Sequence, residues 1–423
     1  MVSQRKTAVD ALLSVGENYG YSNIVLANIF ATNNIKDTDK PFITALFYGV
    51  LDRKITLDYA ISQFVKKPLS KIAPITVTAL RIAAYQIMFM DKVPNSAAVN
   101  ESVNIVKNSK EKYNTAFVNA VLRNFIRQGV TLPEDKSVKS LSVKYSCPEW
   151  IIESLLSDYG IEKALSALEY YLTVPDITVR VNNTLISDEE FIEALNKNGI
   201  KAISCDILHA VTICEGIDIK NLDLYKKGYF HVQDLPSQIS VSKLNVKPEY
   251  RVLDMCASPG GKSFTAAESA VNKAKIVSCD FYENRVKLIR DGAERLRLKN
   301  IECIVCDSRE FNSLLGNFDA VICDVPCSGL GVIRRKPEIK YKTDLDFDEL
   351  KITQTAILNN ALKYLKPGGR LLYSTCTLRR AENDCIVRDC LDKNSGYELE
   401  YEHTFFPDTD NTDGFYCAVI KSR

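Results

Sequence analysis

The sequence predicts an α/β protein: a mainly parallel sheet covered on both faces by helices, preceded by a small α+β module and an all-helical bundle. Three observations carry this. From residue 250 onward, near-continuous apolar runs alternate with helical patterns, as in a parallel sheet whose strands are buried on both sides. Residues 1–130 show apolar residues recurring at three and four, with no strand pattern. The chain, at 423 residues, is too long for a single ordinary core.

In the first region the helical period is visible in Val9-Leu12-Leu13, Phe42-Ala45-Leu46 and Leu80-Ala83-Ala84-Ile87, with Pro68, Pro74 and Pro94 as punctuation. VPNSAAVNESVNIVK (93–107) predicts a helix capped by Ser96, and NTAFVNAVLRNFIR (114–127) predicts another. These place an all-helical domain at 1–130. The pattern breaks at LPEDKSVKS (132–140). A module at 140–240 follows, with a helix over 148–172, strands at ITVRV (177–181), AVTIC (210–214) and YFHVQD (229–234), and a helix over 187–199. The last domain, 241–423, has strand candidates RVLDM (251–255), KIVSCD (275–280), ECIVCD (302–307), FDAVICDVP (318–326) and RLLYSTC (370–376). Helical patterns intervene at 262–270, 283–298, 346–365 and 381–392, and FYCAVI (415–420) is expected to add an antiparallel edge strand.

Formal net charge is only +1, yet it is segregated. Residues 1–130 carry 16 Lys+Arg against 9 Asp+Glu, and residues 131–240 carry 10 against 17, so the helical domain is the part suited to a polyanion. A solvated basic face would look the same. The start, MVSQRKTAVD, has no apolar leader core, and the most apolar stretch, 75–90, is charged and helical in period. The expectation is a soluble, cytoplasmic chain with no membrane partner. The 13 Cys are odd in number and lie in apolar segments, with only three His and no metal-ligand spacing. Neither a disulfide framework nor a metal site is expected, and most of these thiols should be buried small hydrophobes.

LDMCASPGGKS (253–263) ends like a phosphate loop but has Cys256 where G-x-x-x-x-G-K-[ST] needs glycine. It also lacks the G-x-G-x-x-G of a dinucleotide turn. What remains is a strand, a glycine turn and a helix start, which offer N–H groups and a helix dipole to an anion such as a carboxylate. Asp280 lies 20 residues beyond Gly260, the spacing at which an acid reaches ribose hydroxyls. The expected ligand has an adenosine-like ribose and a carboxylate, without a phosphate requirement, and S-adenosylmethionine fits that description. Asp307, Asp324-Val325-Pro326-Cys327 and Ser374-Thr375-Cys376-Thr377 close the remaining strands. One Asp after a strand is ordinarily a cap. Five such ends along the edge where parallel sheets bind ligands point to a site.

Two cysteines at that edge bring a further chemistry. C5 of a pyrimidine is a poor nucleophile, and thiolate addition at C6 turns it into an enamine carbon able to take a methyl group. Asp324, protonated or hydrogen-bonded to N3, suits stabilisation of that addition, and a second thiol or a water suits removal of the C5 proton. Because a free thiol has a pKa of about 8.5, the nucleophile is expected to be partly exposed in an electropositive pocket. On chemistry alone, either Cys327 or Cys376 qualifies.

LDMCASPGGKS, DVPCSG and STCT together resemble the Sun-type (Fmu) RNA cytosine-5 methyltransferases. The likeness extends to CSGLGVIRRKPEIKY (327–341), to VPNSAAVNESVNIVK and FVNAVLRNF, which resemble a NusB-like RNA-binding domain, and to YSCPEW, VRVN and VQDLPSQ in the middle module. It is greatest for the family's bacterial 16S ribosomal RNA members. Small departures are Ser258, Val325 and Tyr416, none of which removes a functional group. The resemblance implies a Rossmann-like class I methyltransferase domain with a mainly parallel seven-stranded sheet. It implies Cys376 as nucleophile, Cys327 as the residue assisting product release, and Asp324 as a catalytic partner. It implies cofactor contacts from Cys256, Ala257, Ser258, Pro259, Gly260, Gly261, Lys262, Asp280, Arg285, Asp307 and Asp324, with Asp280 on the ribose, Asp307 near the adenine, and Lys262 on the cofactor or on Asp324.

The expected activity is methyl transfer from S-adenosylmethionine to C5 of a cytosine in 16S ribosomal RNA through a cysteine–C6 adduct, by a monomer. A fold that only holds RNA is the alternative from another class, and the paired cysteines argue against it. A transfer RNA substrate would keep the chemistry. A nucleoside triphosphatase fails on Cys256.

Overall fold

A computed structural model of the chain describes residues 3–18, 22–33, 35–205, 207, 209–214, 217–342 and 346–423; the first two residues of MVSQRKTAVD lie outside it. The chain forms two compact units, Met1–Thr173 with Ile333–Asp344, and Val174–Val332 with Leu345–Arg423.

The first unit is helical: α1 (Gln4–Asn18), α2 (Ser22–Thr32), α3 (Lys40–Asp52), α4 (Lys54–Ser62), α5 (Pro74–Phe89), α6 (Asn95–Lys107), α7 (Thr115–Gln128), α8 (Val138–Tyr145) and α9 (Glu149–Tyr170), the last broken at Gly160. Its apolar stripes meet in one core around Leu46, Phe47, Leu80, Ile82, Leu122 and Phe125. Helix α6 begins one residue before the expected cap: Pro94 takes the cap position, without a side-chain bond, and Ser96 falls inside the helix. Proline's fixed φ and missing N–H make it a natural entry to a first turn.

Residues 333–342 belong to this unit, although in the sequence they follow the Cys327 motif. Lys340 Nζ donates to the Asp52 carbonyl at 2.8 Å, the Tyr341 hydroxyl to the Leu51 carbonyl at 2.9 Å, and Ser22 N to Glu338 Oε1 at 3.2 Å. The segment thus ties to the α3 C-terminus, where carbonyls lack helical partners.

The second unit contains two sheets. Strands β1 (Ile177–Val181), β2 (Ala202–Ser204), β3 (Ala210–Ile213) and β4 (Phe230–Val232) form an antiparallel sheet in the order β2-β3-β1-β4. Helix α10 (Asp188–Lys197) begins with a complete capping box from Ser187 and Glu190, and α11 (Asp223–Lys226) and α12 (Leu235–Ser242) complete this part. Then come β5 (Arg251–Asp254), α13 (Gly261–Ser269), β6 (Lys275–Asp280), α14 (Glu283–Arg295), β7 (Ile301–Val305), β8 (Phe318–Asp324), α15 (Phe347–Leu362), β9 (Leu365–Thr375), α16 (Asp384–Lys393), β10 (Tyr397–Phe405), α17 (Pro407–Asp410) and β11 (Phe415–Ser422).

The large sheet has seven strands in the order β10-β11-β9-β8-β5-β6-β7. Strands β5 to β9 run parallel, and β11 is antiparallel to both neighbours. This is the Rossmann-like α/β fold expected. Successive strand residues face opposite cores: Val252, Ile276, Ile322 and Leu372 pack with Phe264 and Ile289 on one side, while Leu253, Val277, Val321 and Tyr373 pack with Leu358 and Val387 on the other. Both faces are dry, so both sets of alternating positions are apolar. Cys279, Cys323 and Cys417 are such core positions, and no cysteine among the described residues forms a disulfide.

One expectation needs correction. FYCAVI is antiparallel, but it lies inside the sheet; the edge is β10, for which the sequence carries no apolar signal. Strand β10 reads YELEYEHTF, with three residues exposed and only Phe405 buried, which suits an edge that must resist further pairing. A buried ion pair links the two sheets' layers: Arg180 Nε of β1 lies 2.9 Å from Glu268 Oε2 of α13, and both side chains are buried. Among the described residues, no helix is long and apolar enough to cross a membrane.

Candidate active site

Because β5 to β9 are parallel, Asp254, Asp280, Val305, Asp324 and Thr375 end on one edge of the sheet. The loop after β5 leaves along that edge and turns into α13. Ala257 N donates to the Cys279 carbonyl at 2.8 Å, and Gly260 N to the Ala257 carbonyl at 2.7 Å. The Ser258–Pro259 peptide is cis. Gly260 has φ +114°, and a Cβ there would come within 2.2 Å of the Phe264 ring, so both backbone and packing demand glycine.

Asp280 stands beside this loop. Its Oδ2 accepts from Ser258 N at 3.3 Å, its Oδ1 from Tyr282 N at 3.4 Å, and Arg285 Nε lies 3.2 Å from Oδ1. The first-turn N–H groups of α13 and the Asp280 carboxylate therefore face the same loop, a donor set for an anion beside an acceptor for hydroxyls. That combination fits a ligand carrying a carboxylate and a ribose. Cys256 packs beneath the loop among apolar residues, and burial pushes its thiol well up. Asp307 lies at the end of the next strand, ion-paired with Arg309 at 2.6 Å; this bond holds its carboxyl below the usual range.

Lys262 is buried and reaches across the edge to Asp324 Oδ2 at 2.7 Å, to Ser237 Oγ at 3.0 Å and over the Phe415 ring at 5.1 Å. Asp324 Oδ1 accepts from Ser374 Oγ at 2.8 Å. Beneath them lies Asp254, fully buried, with Ser263 Oγ donating to Oδ2 at 2.7 Å and Oδ1 without a partner. Burial pushes its carboxyl up to about 7 despite the Ser263 hydrogen bond, and the charge of Asp324 adds to the rise.

Three residues beyond Asp324, Cys327 Sγ stands 3.3 Å from Cys376 Sγ. Strand register makes the meeting possible: Asp324 of β8 pairs with Ser374 of β9, so the two segments leave the sheet side by side. They remain stitched beyond it. Val325 N donates to the Ser374 carbonyl at 3.1 Å, Gly331 N to the Cys376 carbonyl at 2.9 Å, and the Ser328 and Thr377 hydroxyls are 2.8 Å apart. Gly331 has to be glycine, since a Cβ would sit 1.8 Å from the Gly414 carbonyl oxygen. Both thiols are partly exposed.

The electropositive pocket was expected for the nucleophile, Cys376; around Cys327, the thiol assigned to product release, the charges are negative. The hydrogen bond with Cys376, burial and the negative charges of Glu382 and Asp324 all raise its thiol well above the ordinary value. Two carboxylates supply that charge, Asp324 at the end of β8 and Glu382 beyond the end of β9. Gln233, whose Oε1 accepts from the Thr265 hydroxyl at 2.5 Å, lies within VQDLPSQ without being singled out there; the sequence carries no signal for Gln354 and Glu382, which flank the Cys327 loop. Their motifs are unremarkable, and only packing brings them to the site. Among the described residues, no group of His, Cys, Asp or Glu is placed to hold a metal ion.

Comparison with known proteins agrees with this architecture along the whole chain. Residues 241–421 match the family described as 16S rRNA methyltransferase RsmB/F, residues 2–127 the NusB family, and residues 147–220 the ferredoxin-like domain of RsmF/B-like methyltransferases. The probable ribosomal RNA small subunit methyltransferase B of Bacillus subtilis (strain 168) is 36% identical over 100% of this chain and 99% of its own. The chain belongs to the ribosomal RNA small subunit methyltransferase B family. Its fold is shared with solved structures: PH0851 superposes with a TM-score of 0.85 at 23% identity, covering 100% of this chain and 99% of that one. The methyltransferase homolog protein from Pyrococcus horikoshii gives 0.60 at 26% identity, covering 69% of this chain and 100% of that one. As a member of the methyltransferase B family, this chain carries its paired thiols on the methyltransferase part, within the residues matched by the RsmB/F family.

Proposed function

We propose that this chain transfers a methyl group from S-adenosylmethionine to C5 of a cytosine in 16S ribosomal RNA. The observation that carries the reading is the pair of thiols, 3.3 Å apart, beside a carboxylate at the sheet edge. Support for the RNA comes from the name of the Bacillus subtilis relative, a small subunit methyltransferase. We further propose three working modules: a NusB-like RNA-binding domain at 1–130, an intermediate module at 140–240 and the methyltransferase domain at 241–423.

S-adenosylmethionine supplies an electrophilic methyl group when bound. The α13 N-terminus and the Cys256–Lys262 loop hold its carboxylate end, Asp280 holds the ribose with Arg285 behind it, and Asp307 lies toward the adenine. The target cytosine leaves its stack to reach the thiols. Asp324 faces N3, held by Lys262 and Ser374. The Cys376 thiolate adds to C6, and the C5 carbon so activated takes the methyl group as the methyl–sulfur bond of the donor breaks, its electron pair staying on that sulfur. Cys327, as thiolate, or a water then takes the C5 proton, the C5–C6 double bond re-forms, and the C6–sulfur bond breaks to return Cys376 as thiolate.

The test is a pair of variants assayed with 16S RNA and labelled donor. Cys376→Ala should abolish transfer while retaining donor binding. Cys327→Ala should trap a protein–RNA adduct that survives denaturing gels. Normal turnover in Cys376→Ala rejects the nucleophile assignment, and a chain that binds RNA without transferring label is a binding protein only.

A further inference from the structure

Cys327 is held by a clamp that closes on both of its neighbours in the chain. On one side, Gln354 Nε2 of α15 donates to the Pro326 carbonyl at 2.9 Å. On the other, Ser328 N donates to Glu382 Oε2 at 2.9 Å. The two clamping side chains also meet each other, since Gln354 Nε2 lies 3.0 Å from the same Glu382 oxygen. The circuit therefore runs from Pro326 through Gln354 and Glu382 to Ser328, with Cys327 between its ends.

The position of Glu382 makes this more than a local turn. It lies six residues after Cys376, in the 3-10 turn Arg380–Glu382. Its backbone carbonyl accepts from the Tyr373 hydroxyl of β9 at 2.7 Å, and Arg379 Nη1 lies 3.4 Å from its Oε1. The segment carrying Cys376 thus supplies the acceptor that orients the segment carrying Cys327. Glu382 is 1% exposed and Gln354 0%. A carboxylate removed from water to this extent is costly unless donors surround it, and the donors gathered on it come from the Cys327 loop, from α15 and from Arg379.

We propose that Glu382 and Gln354 are positioning residues for Cys327, fixing its thiol against the Cys376 sulfur for the release step. Neither touches the reacting atoms. The inference rests on the release role given to Cys327 above, and it assigns that role's geometry to two residues outside the cysteine motifs. If the clamp aims Cys327 alone, loosening it reproduces the Cys327 defect in milder form: adduct forms, and release is slow. A purely structural role would lower donor binding and all turnover together.

The experiment uses the full chain, 16S RNA and S-adenosylmethionine, with adduct quantified on denaturing gels and donor affinity by calorimetry. Glu382→Ala and Gln354→Met each remove at least two of the clamp's bonds and should slow release at least about tenfold, the rate equivalent of one lost buried hydrogen bond, so adduct accumulates while donor affinity stays at the wild-type value. Glu382→Gln keeps an acceptor for Ser328 N and should restore adduct to the wild-type level. Gln354→Met decides the matter if Glu382→Ala does not fold. Adduct at the wild-type level in the clamp variants, with Cys327→Ala trapping it, overturns the clamp's role alone. Absence of adduct in Cys327→Ala overturns the release assignment and the clamp's role with it.

Discussion

The Lys262 ammonium lies 2.7 Å from Asp324 Oδ2, joining the first turn of α13 to the segment that leads into Cys327. The two partners are unequally buried, with side chains 8% and 36% exposed. Removing them should therefore cost unequal amounts. Asp324→Ala leaves an ammonium in the interior with Ser237 as its hydrogen-bond partner, and should destabilise by about 3 kcal/mol. Lys262→Met leaves a carboxylate that solvent and Ser374 still serve, and should cost about 1 kcal/mol. Urea unfolding of the two variants measures the difference; equal losses would mean that burial does not control the pair.

Asp280→Ala should weaken S-adenosylmethionine binding by roughly ten- to a hundredfold, the loss expected for hydrogen bonds to a charged acceptor. Calorimetry on the free enzyme reads it directly. Unchanged affinity removes Asp280 from the ribose.

Asp254 makes stability depend on pH. Its folded-state carboxyl titrates near 7 because of burial, against the Ser263 hydrogen bond, with Asp324 adding to the rise. In the unfolded chain it titrates at about 3.9. Between those values the folded protein binds more protons, so the stabilisation present below about pH 4 is lost as pH rises to about 7, by at most about 1.4 kcal/mol per pH unit. Asp254→Asn cannot titrate and should flatten that part of the stability profile, measured by urea unfolding from pH 4 to 8. A profile identical to wild type would place the titration elsewhere.

RNA binding should fall steeply with salt, since phosphate contacts by Lys and Arg release counterions. The excess of 16 basic over 9 acidic residues in 1–130 assigns much of that slope to the helical unit. Filter binding at about 50 and 200 mM salt measures it, and a flat response contradicts a polyanion-binding role for this region.

How far the sequence reached can be judged residue by residue. KIVSCD and ITVRV are strands at the residues expected: in KIVSCD alternating positions face two cores, and in ITVRV Val179 and Val181 face one core while Arg180 on the other face pairs with Glu268. LDMCASPGGKS was legible for a similar reason: Gly260 is required by its own backbone angle, and Asp280 ends the next strand of the same βαβ unit, beside the loop. Strand β10 was not, because an edge strand keeps polar residues and leaves no apolar trace. Nor was the placement of Lys340 and Tyr341 on the α3 carbonyls, since those partners lie nearly 290 residues away in the chain.

Short-range physics is thus written in the chain itself: helix and strand periods, the glycine turn, and the two cysteines with the acids that close their strands. The tertiary structure alone decided which partners those residues meet. It set Lys262 on Asp324, buried Asp254 beneath them, brought the Cys327 and Cys376 sulfurs to 3.3 Å and closed Gln354 and Glu382 around Cys327. Such contacts depend on strand order and on which faces pack together, and a side chain that is ordinary in its own segment acquires its role only from neighbours that the fold brings from elsewhere.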